Sequence, residues 1–394
     1  MAKLIDITGK ALSGEWGKED ENGTGIPVLR TTNFTNDGIV NFANVVTRDI
    51  CKSGKSEKFL RKGDIIIEKS GGSDKQPVGR VIYFEGEENK YLFNNFTGLL
   101  RVHNQKKWVP KFVFYSLFAN YRQGGTRSYE NKTTGLHNLK LESYIQNTEI
   151  KDYDIEQQNC ICSALDQLRK IIILRKTEIE KLDELIKARF VEMFGDPISN
   201  PKKWLTKPFL SMGTCKNGMN FHYEDSGIEI NCLGVGDFKD LAIITDASSL
   251  PIISLNAIPS SEYLLQDGDI VFVRSNGNKK MVGRSVVVYP GIIPTTFSGF
   301  CIRYRLNDRA VDISYLLRVL KTDSVRQKMY GRGANIQNLN QQTLSSLVIP
   351  VPPLEMQKQF SNFVAQIDKS KVAVQKSLEQ TQMLFDSLMQ QYFG

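Results

Sequence analysis

The sequence predicts an α+β protein: two β-rich globules related by pseudo-twofold symmetry, separated by two long helices that form an antiparallel coiled coil. Three observations carry this. The chain repeats itself at an interval of about 200 residues, each copy opens with short apolar runs broken by turn residues, and each copy closes with one narrow apolar stripe at helical spacing.

Internal self-similarity is read first because it sets the scale of everything else. Leu60-Arg61-Lys62-Gly63-Asp64-Ile65-Ile66 returns 205 positions later as Leu265-Gln266-Asp267-Gly268-Asp269-Ile270-Val271, and Val78-Gly79-Arg80 returns 204 later as Val282-Gly283-Arg284. Asn138-Leu139, with Gly135 upstream, is answered 200 later by Asn338-Leu339, with Gly333 upstream. Glu156-x-Gln158 and Phe194-Gly195 recur 199 later as Glu355-x-Gln357 and Phe393-Gly394. Two copies are too few for a solenoid, which needs about three stacked units. The expected division is a globule over 1–152, a helix over 153–195, a second globule over 196–352 and a second helix over 353–394.

The globules read as β-rich. Asp64–Glu68, Arg80–Phe84, Asp269–Arg274 and Ser285–Tyr289 are short apolar runs bounded by Gly, Asn, Asp and Lys, the strand-and-turn pattern. A small helical stretch follows in each copy, around Lys111–Asn120 and Asp312–Lys321.

The helices come next. From Ile161 a 3–4 alternation runs through Leu165, Leu168, Ile172, Arg175, Ile179, Leu182, Ile186, Arg189 and Met193. In the second copy it runs through Phe360, Val364, Ile367, Lys371, Val374, Leu378, Thr381, Phe385, Leu388 and Tyr392. Each stripe is broken at two positions only, which is coiled-coil patterning. Asp154 is a candidate N-cap for the first helix, and Pro352-Pro353 lead into the second. A helix of about 35 residues spans roughly 50 Å. So narrow a stripe needs a partner, and the other copy's helix supplies one, holding the globules at a fixed separation. The competing arrangement packs each helix on its own globule.

Composition excludes several classes. Of 394 residues, 41% are hydrophobic and 24% charged, which is ordinary globular composition. Six scattered cysteines make no disulfide framework, and Cys160 and Cys162 point to different faces of a helix. Neither a signal peptide nor a run of about 18 apolar residues is evident, so a cytoplasmic protein with no membrane partner is expected. The phosphate loop G-x-x-x-x-G-K-[ST] is missing, as is the Asn/Asp-Pro-Pro-aromatic motif of an amino-methyltransferase. The three histidines, His103, His137 and His222, sit in no nucleophile or metal pattern. Catalysis, cofactors and metals are therefore not expected in this chain.

Binding remains. Lys and Arg exceed Asp and Glu by 51 to 43, for a net charge of +8, which favours an acidic partner. Loops 68–76 and 274–280 follow a strand in both copies, and loops 121–127 and 330–335 form a second pair. They combine phosphate-neutralising Lys and Arg, adenine-pairing Asn and Gln, and glycines that allow close approach, a composition suited to DNA. The candidates in the first copy are Lys69, Ser70, Gly71, Lys75, Arg80, Arg122, Arg127 and Lys132. Those in the second are Arg274, Ser275, Asn276, Asn278, Lys279, Lys280, Arg284, Arg332 and Asn335.

With two globules, two closing helices, the junction Phe194-Gly195-Asp196-Pro197, the segment Gly333–Leu339 and the segment Ile349–Gln357, the whole chain resembles the specificity subunit of a type I restriction-modification enzyme. The resemblance implies a non-catalytic subunit. Each globule would be a target-recognition domain reading one half of a bipartite, asymmetric site in double-stranded DNA, and the coiled coil would set the unread spacer. Two methyltransferase subunits would dock along the helices, flip out an adenine in each half-site and carry S-adenosylmethionine. Restriction subunits with translocase activity would bring ATP and Mg. Two other classes stand against this: a self-contained DNA-modifying enzyme, and a coiled-coil adaptor with two protein-binding heads.

Overall fold

The structure, a computed structural model, describes the chain apart from residues 52, 134–135, 222–224, 239–242 and 330–336, and describes 132, 133, 136 and 337 by their backbone alone. Contacts divide it into two units, Met1–Thr177 with Gln375–Gly394, and Glu178–Val374.

In the first unit the run Ile65–Glu68 is buried throughout and lies inside an antiparallel sheet ordered Leu12–Ser13, Thr97–Leu100, Ile65–Glu68, Val81–Tyr83. A strand covered on both faces reads as an unbroken apolar run. Ile65 and Ile67 pack with Phe112, Val113 and Leu117 of the helix Pro110–Arg122, and Ile66 packs oppositely with Leu29, Phe84 and Phe93. A second sheet is ordered Lys18–Glu19, Val46–Asp49, Ile26–Leu29, Leu92–Phe93, its last pair parallel.

The second unit follows the same plan. Asp269–Val273 is the buried central strand of a sheet ordered Gly213–Asn217, Cys301–Leu306, Asp269–Val273, Ser285–Val288, Ile243–Ile244. Beside it, Ile252–Leu255 pairs antiparallel with Ile228–Leu233, which pairs parallel with Thr295–Phe297.

The Gly-Asp motif that marks the repeat is the turn into each central strand. Gly63 and Gly268 have φ of 91° and 86°, the left-handed region where a side chain is strained. Asp64 and Asp269, 2% and 1% exposed, each receive two bonds from an arginine. Arg101 donates to Asp64 at 2.7 and 2.6 Å, and Arg305 donates to Asp269 at 2.8 and 2.7 Å. Each carboxylate also accepts a backbone N–H three residues back, from Arg61 and Gln266, at 2.7 Å in both cases.

The long helices run over Ile155–Phe194 and Leu354–Phe393, 40 residues each. Asp154 caps the first: its Oδ1 accepts from Gln157 N at 2.7 Å, and Gln157 Oε1 accepts from Asp154 N at 3.3 Å. One turn in, Gln158 and Gln357 are fully buried and make the same three bonds in their two units. Gln158 accepts from Val109 N at 2.8 Å and donates to Lys107 O and Tyr153 O at 3.0 and 2.8 Å. Gln357 accepts from Asp312 N at 2.8 Å and donates to Ala310 O and Pro352 O at 3.0 and 2.7 Å.

The helices pair, as the stripes predict, and they run antiparallel, as the pseudo-twofold repeat predicts. In the first unit Lys151, just before the first helix, donates to Gly394 O at 3.0 Å, and Arg175 further along donates to Ser377 O and Thr381 Oγ1. In the second unit Asp183 meets Lys371 at 2.8 Å, while Phe190 meets Phe360 at 5.5 Å between ring centroids. Rising numbers on one helix therefore meet falling numbers on the other. The globules share in covering the stripe: Ile161, Leu165 and Ile172 join Phe385 and Met389 in the first unit's core, and Ile186 joins Phe360 and Val364 in the second's. Between them, Leu168, Ile179, Leu182, Ile367, Val374, Leu378 and Leu388 are half-buried.

One stripe position differs from expectation. Arg189 is exposed and bonds Glu192 at 2.8 Å, while Phe190 is buried in its place. Past Ile186 the helix packs on Tyr315 of the globule as well as on Phe360 of the second long helix, so the buried face widens to 186, 190, 193 and 194 and leaves the heptad seam. Cys160 is exposed and Cys162 buried, as their spacing requires.

Candidate nucleic-acid interface

Each central strand ends in a backbone grip. Lys69 N donates to Phe96 O at 2.8 Å and Lys69 O accepts from Leu139 N at 2.8 Å. In the other copy Arg274 N donates to Phe300 O at 2.7 Å and Arg274 O accepts from Leu339 N at 2.8 Å. The repeat thus places Lys69 and Arg274 at one structural position.

Beyond the grip the chain leaves its sheet and enters a ribbon. Ser70–Gly72 pairs with Leu136–Leu139, which pairs with Glu130–Thr133, and Ser275–Asn276 pairs with Gln337–Asn338. The first unit's ribbon has three strands and the second's has two, and a two-stranded ribbon is narrow enough to enter the major groove of B-DNA. The second predicted loop is brought against the first: Tyr121 donates to Pro77 O at 3.2 Å, and a Cβ at Gly79 would come within 2.6 Å of Thr126. In the second unit Arg326, on the helix Asp323–Met329, donates to Lys280 O and Val282 O, both at 3.0 Å.

The candidates separate by what holds them. Lys69 is half-buried, with burial as the main cause lowering its ammonium pKa, and Lys69 Nζ donates to Ser13 Oγ at 3.1 Å. Ser70 is half-buried in the ribbon, and Gly71, with φ 125°, is exposed. Lys75 is exposed in a turn closed by Ser73 and Gln76, whose backbones bond each other at 2.7 and 3.1 Å. Arg127 is exposed. Lys132 lies opposite His137 in the ladder. In the second unit Arg274, Ser275 and Asn276 are half-buried, and Asn278, Lys279 and Lys280 are exposed. Arg274 reaches Gly299 O at 3.4 Å. Asn276 Oδ1 accepts from Asn278 N at 2.7 Å and Asn278 Oδ1 from Lys280 N at 3.0 Å, so the oxygens of both amides are engaged within the loop. Arg332 and Asn335 lie outside the described residues.

Three of the candidate arginines are held by groups of the protein itself. Arg80 is held by Glu68 through bonds of 3.0 and 2.9 Å and also donates to Phe34 O, so it braces the loop base; the Glu68 carboxylate holds its guanidinium above the usual range. Arg284 makes the equivalent reach to Phe238 O at 3.3 Å. Arg122 pairs with Asp386 at 2.8 Å and fastens its helix to the second long helix.

Sequence reasoning missed three features. Glu130 ties ribbon to loop: its Oε1 accepts from Val78 N at 2.9 Å, and its Oε2 lies 3.2 Å from His137 Nδ1. His137 Nε2 in turn lies 3.7 Å from Asp74. The repeat gives no signal here, because Gln337 stands at the position equivalent to His137. Third, Phe96 and Phe300, the residues that grip Lys69 and Arg274, expose their rings by 52% and 60%. Their 204-residue spacing matches that of Arg80 and Arg284 and was the available signal. Among the described residues no cluster could hold a metal ion, and no helix is long and apolar enough to cross a membrane.

Replacing Arg274 with alanine is expected to weaken binding of one half of a duplex site by about tenfold and leave the other half unchanged. Footprinting each half separately measures this, and equal loss in both halves would refute independent reading.

Known proteins share this organisation. The EcoKI specificity subunit of Escherichia coli (strain K12), a type I restriction enzyme component, is 22% identical over 407 residues, covering 93% of this chain and 82% of that protein. The StySPI specificity subunit of Salmonella potsdam is 24% identical over 393 residues, covering 93% and 80%. The putative type I MjaX specificity subunit of Methanocaldococcus jannaschii is 28% identical over 414 residues, covering 99% and 91%. Among solved structures, the S subunit of a type I restriction-modification system from M. genitalium has the same fold, with a TM-score of 0.56 at 14% identity over 100% of this chain and 95% of that one. A chain from a structure of type I R-M complex assembly and conformational transition gives 0.58 at 14% identity, over 100% and 96%. The profile of the type I restriction modification DNA specificity domain matches twice, over residues 2–184 and 206–381, one match for each copy of the repeat. The chain belongs to that family.

Proposed function

We propose that this chain is the specificity subunit of a type I restriction-modification complex and performs no catalytic step itself. The observation that carries this is the duplicated grip, which presents a ribbon at Lys69 in one globule and at Arg274 in the other. The ribbons differ in sequence, so each globule reads a different half of a bipartite, asymmetric site in double-stranded DNA. Half-sites about one helical turn apart, ~10 bp, lie on one face of the duplex. The paired helices set that spacing and dock two methyltransferase subunits. S-adenosylmethionine then belongs to those subunits, ATP and Mg belong to the restriction subunits, and the assembly works in the cytoplasm. Phe96 and Phe300 supply apolar contact beside the ribbons, as Phe does against thymine methyl groups.

A methylation map of cells expressing the chain with its methyltransferase tests this, repeated with residues 197–350 exchanged for those of a relative. The expected result is a bipartite methyladenine motif in which one half alone changes. Absence of a motif, together with failure to co-purify with the methyltransferase, would favour the adaptor. S-adenosylmethionine binding by the isolated chain would favour the enzyme.

A further inference from the structure

A cavity of about 480 Å³ in the second unit is lined by Ile186 and Phe190 of the first long helix, by Ser285, and by Arg318 and Lys321 of the helix Ile313–Lys321. Its polar lining is unusual in two ways. Ser285 is 3% exposed, and its buried Oγ has no hydrogen-bond partner. Among the described residues, Arg318 and Lys321 make no hydrogen bond or ion pair, and both are half-buried.

The charges around them do not balance. Burial, then repulsion from Arg318 and Arg326, pushes the Lys321 ammonium down to about 8, with Asp183 opposing and Lys371 adding to the effect. Burial also lowers Arg318, against the through-space pull of Asp368 and Asp183. Of the acids at the cavity wall, Asp196 is already engaged by Ile198 N and Ser199 N, at 3.0 and 2.9 Å, and Asp323 opens the next helix.

The fold does not require these cations. Gln158 and Gln357 bond Val109 N and Asp312 N alike, which aligns the two globular helices and sets Arg318 against Tyr115 and Lys321 against Phe118. In the first unit Tyr115 donates to Asp166 and Phe118 is core. Two cations and an unpartnered hydroxyl facing one cavity therefore serve something other than folding.

We propose that this cavity binds a phosphorylated anion, with its phosphoryl oxygens held by Arg318, Lys321 and Ser285. A guanidinium fork matches phosphate oxygens in pairs, an ammonium adds a point charge, and the volume falls in the ligand range of about 300–1,000 Å³. The phosphate could come from a small molecule or from the backbone of bound DNA. The site stands independently of the reading given to the ribbons.

Calorimetric titration of the full chain with pyrophosphate, beside binding of a DNA duplex carrying its site, tests this. The variants are Arg318→Tyr and Lys321→Phe, which install the first unit's residues, and Ser285→Ala. Saturable pyrophosphate binding that weakens about tenfold in each charge variant, with DNA affinity unchanged, supports a small-molecule ligand. At pH 8 the chain should take up more protons on binding than Lys321→Phe does, because Lys321 regains its charge while the proton exchange of pyrophosphate is common to both, and the difference should shrink at pH 6.5. No pyrophosphate binding, but weaker DNA binding whose salt dependence falls by about one ion per cation removed, supports the site with DNA as the phosphate's source. If neither ligand responds to the variants, the proposal is overturned. It is equally overturned if the variants impair only co-purification with the methyltransferase, because the cations would then meet a protein carboxylate.

Discussion

Replacing Gln357 with alanine should lower the stability of the chain by about 3–6 kcal/mol. The side chain is fully buried and satisfies three backbone groups at once: Asp312 N, Ala310 O and Pro352 O. Each buried group left without a partner costs about 1–3 kcal/mol, against a total stability of about 5–15 kcal/mol for a typical domain. Urea denaturation measures the loss. Gln357→Met separates bonding from packing, because methionine keeps the volume and makes none of the bonds. Both variants should fall by similar amounts, and a methionine variant near wild type would show that volume was what mattered. Gln158→Ala should behave likewise, through Val109 N, Lys107 O and Tyr153 O.

Asp269→Ala should cost about 3–5 kcal/mol, because it removes one partner of a buried pair and leaves the other charge behind. Arg305 would keep its bond to Leu264 O at 3.1 Å and lose both bonds to the carboxylate. Gln266 N would lose its acceptor in the turn that opens the central strand. Replacing both members with leucine should recover much of the loss, since the pair's net contribution is small compared with the cost of an orphaned charge. A double variant as unstable as the single one would mean that the turn, not the charge, dominates. Arg274 lies at the far end of that strand, so half-site binding by this globule should fall while the other half-site is unaffected.

The repeat made much of this legible. Motifs separated by about 200 residues turned out to mark a strand-opening turn, a loop base and a buried glutamine, all equivalent in the two units. What sequence could not reveal was partnership. Asp64 and Asp269 stood out as repeated, yet their arginines lie 37 and 36 residues away and only the sheet brings them together. Arg80 and Arg122 have the same composition as a phosphate contact, and tertiary structure gave each a carboxylate. The helical stripe was readable while helix faced helix. It failed at Arg189, where the globule's Tyr315 joins the partner helix as a neighbour and a heptad no longer describes the buried face.

The stripe's polar breaks have a consequence for alignment. Arg175 finds Thr381 and Ser377 O across the first unit's helix pair, and Lys371 finds Asp183 across the second's. An all-apolar seam can slip by a heptad at little cost, whereas a slip here would set a charged group against aliphatic side chains. Arg175 with Thr381, and Lys371 with Asp183, therefore act as index marks that permit one register. Those marks turn a sliding contact into a graduated one, so within each unit the pairing can move only in whole-heptad steps, and each step carries the penalty of an unmatched charge.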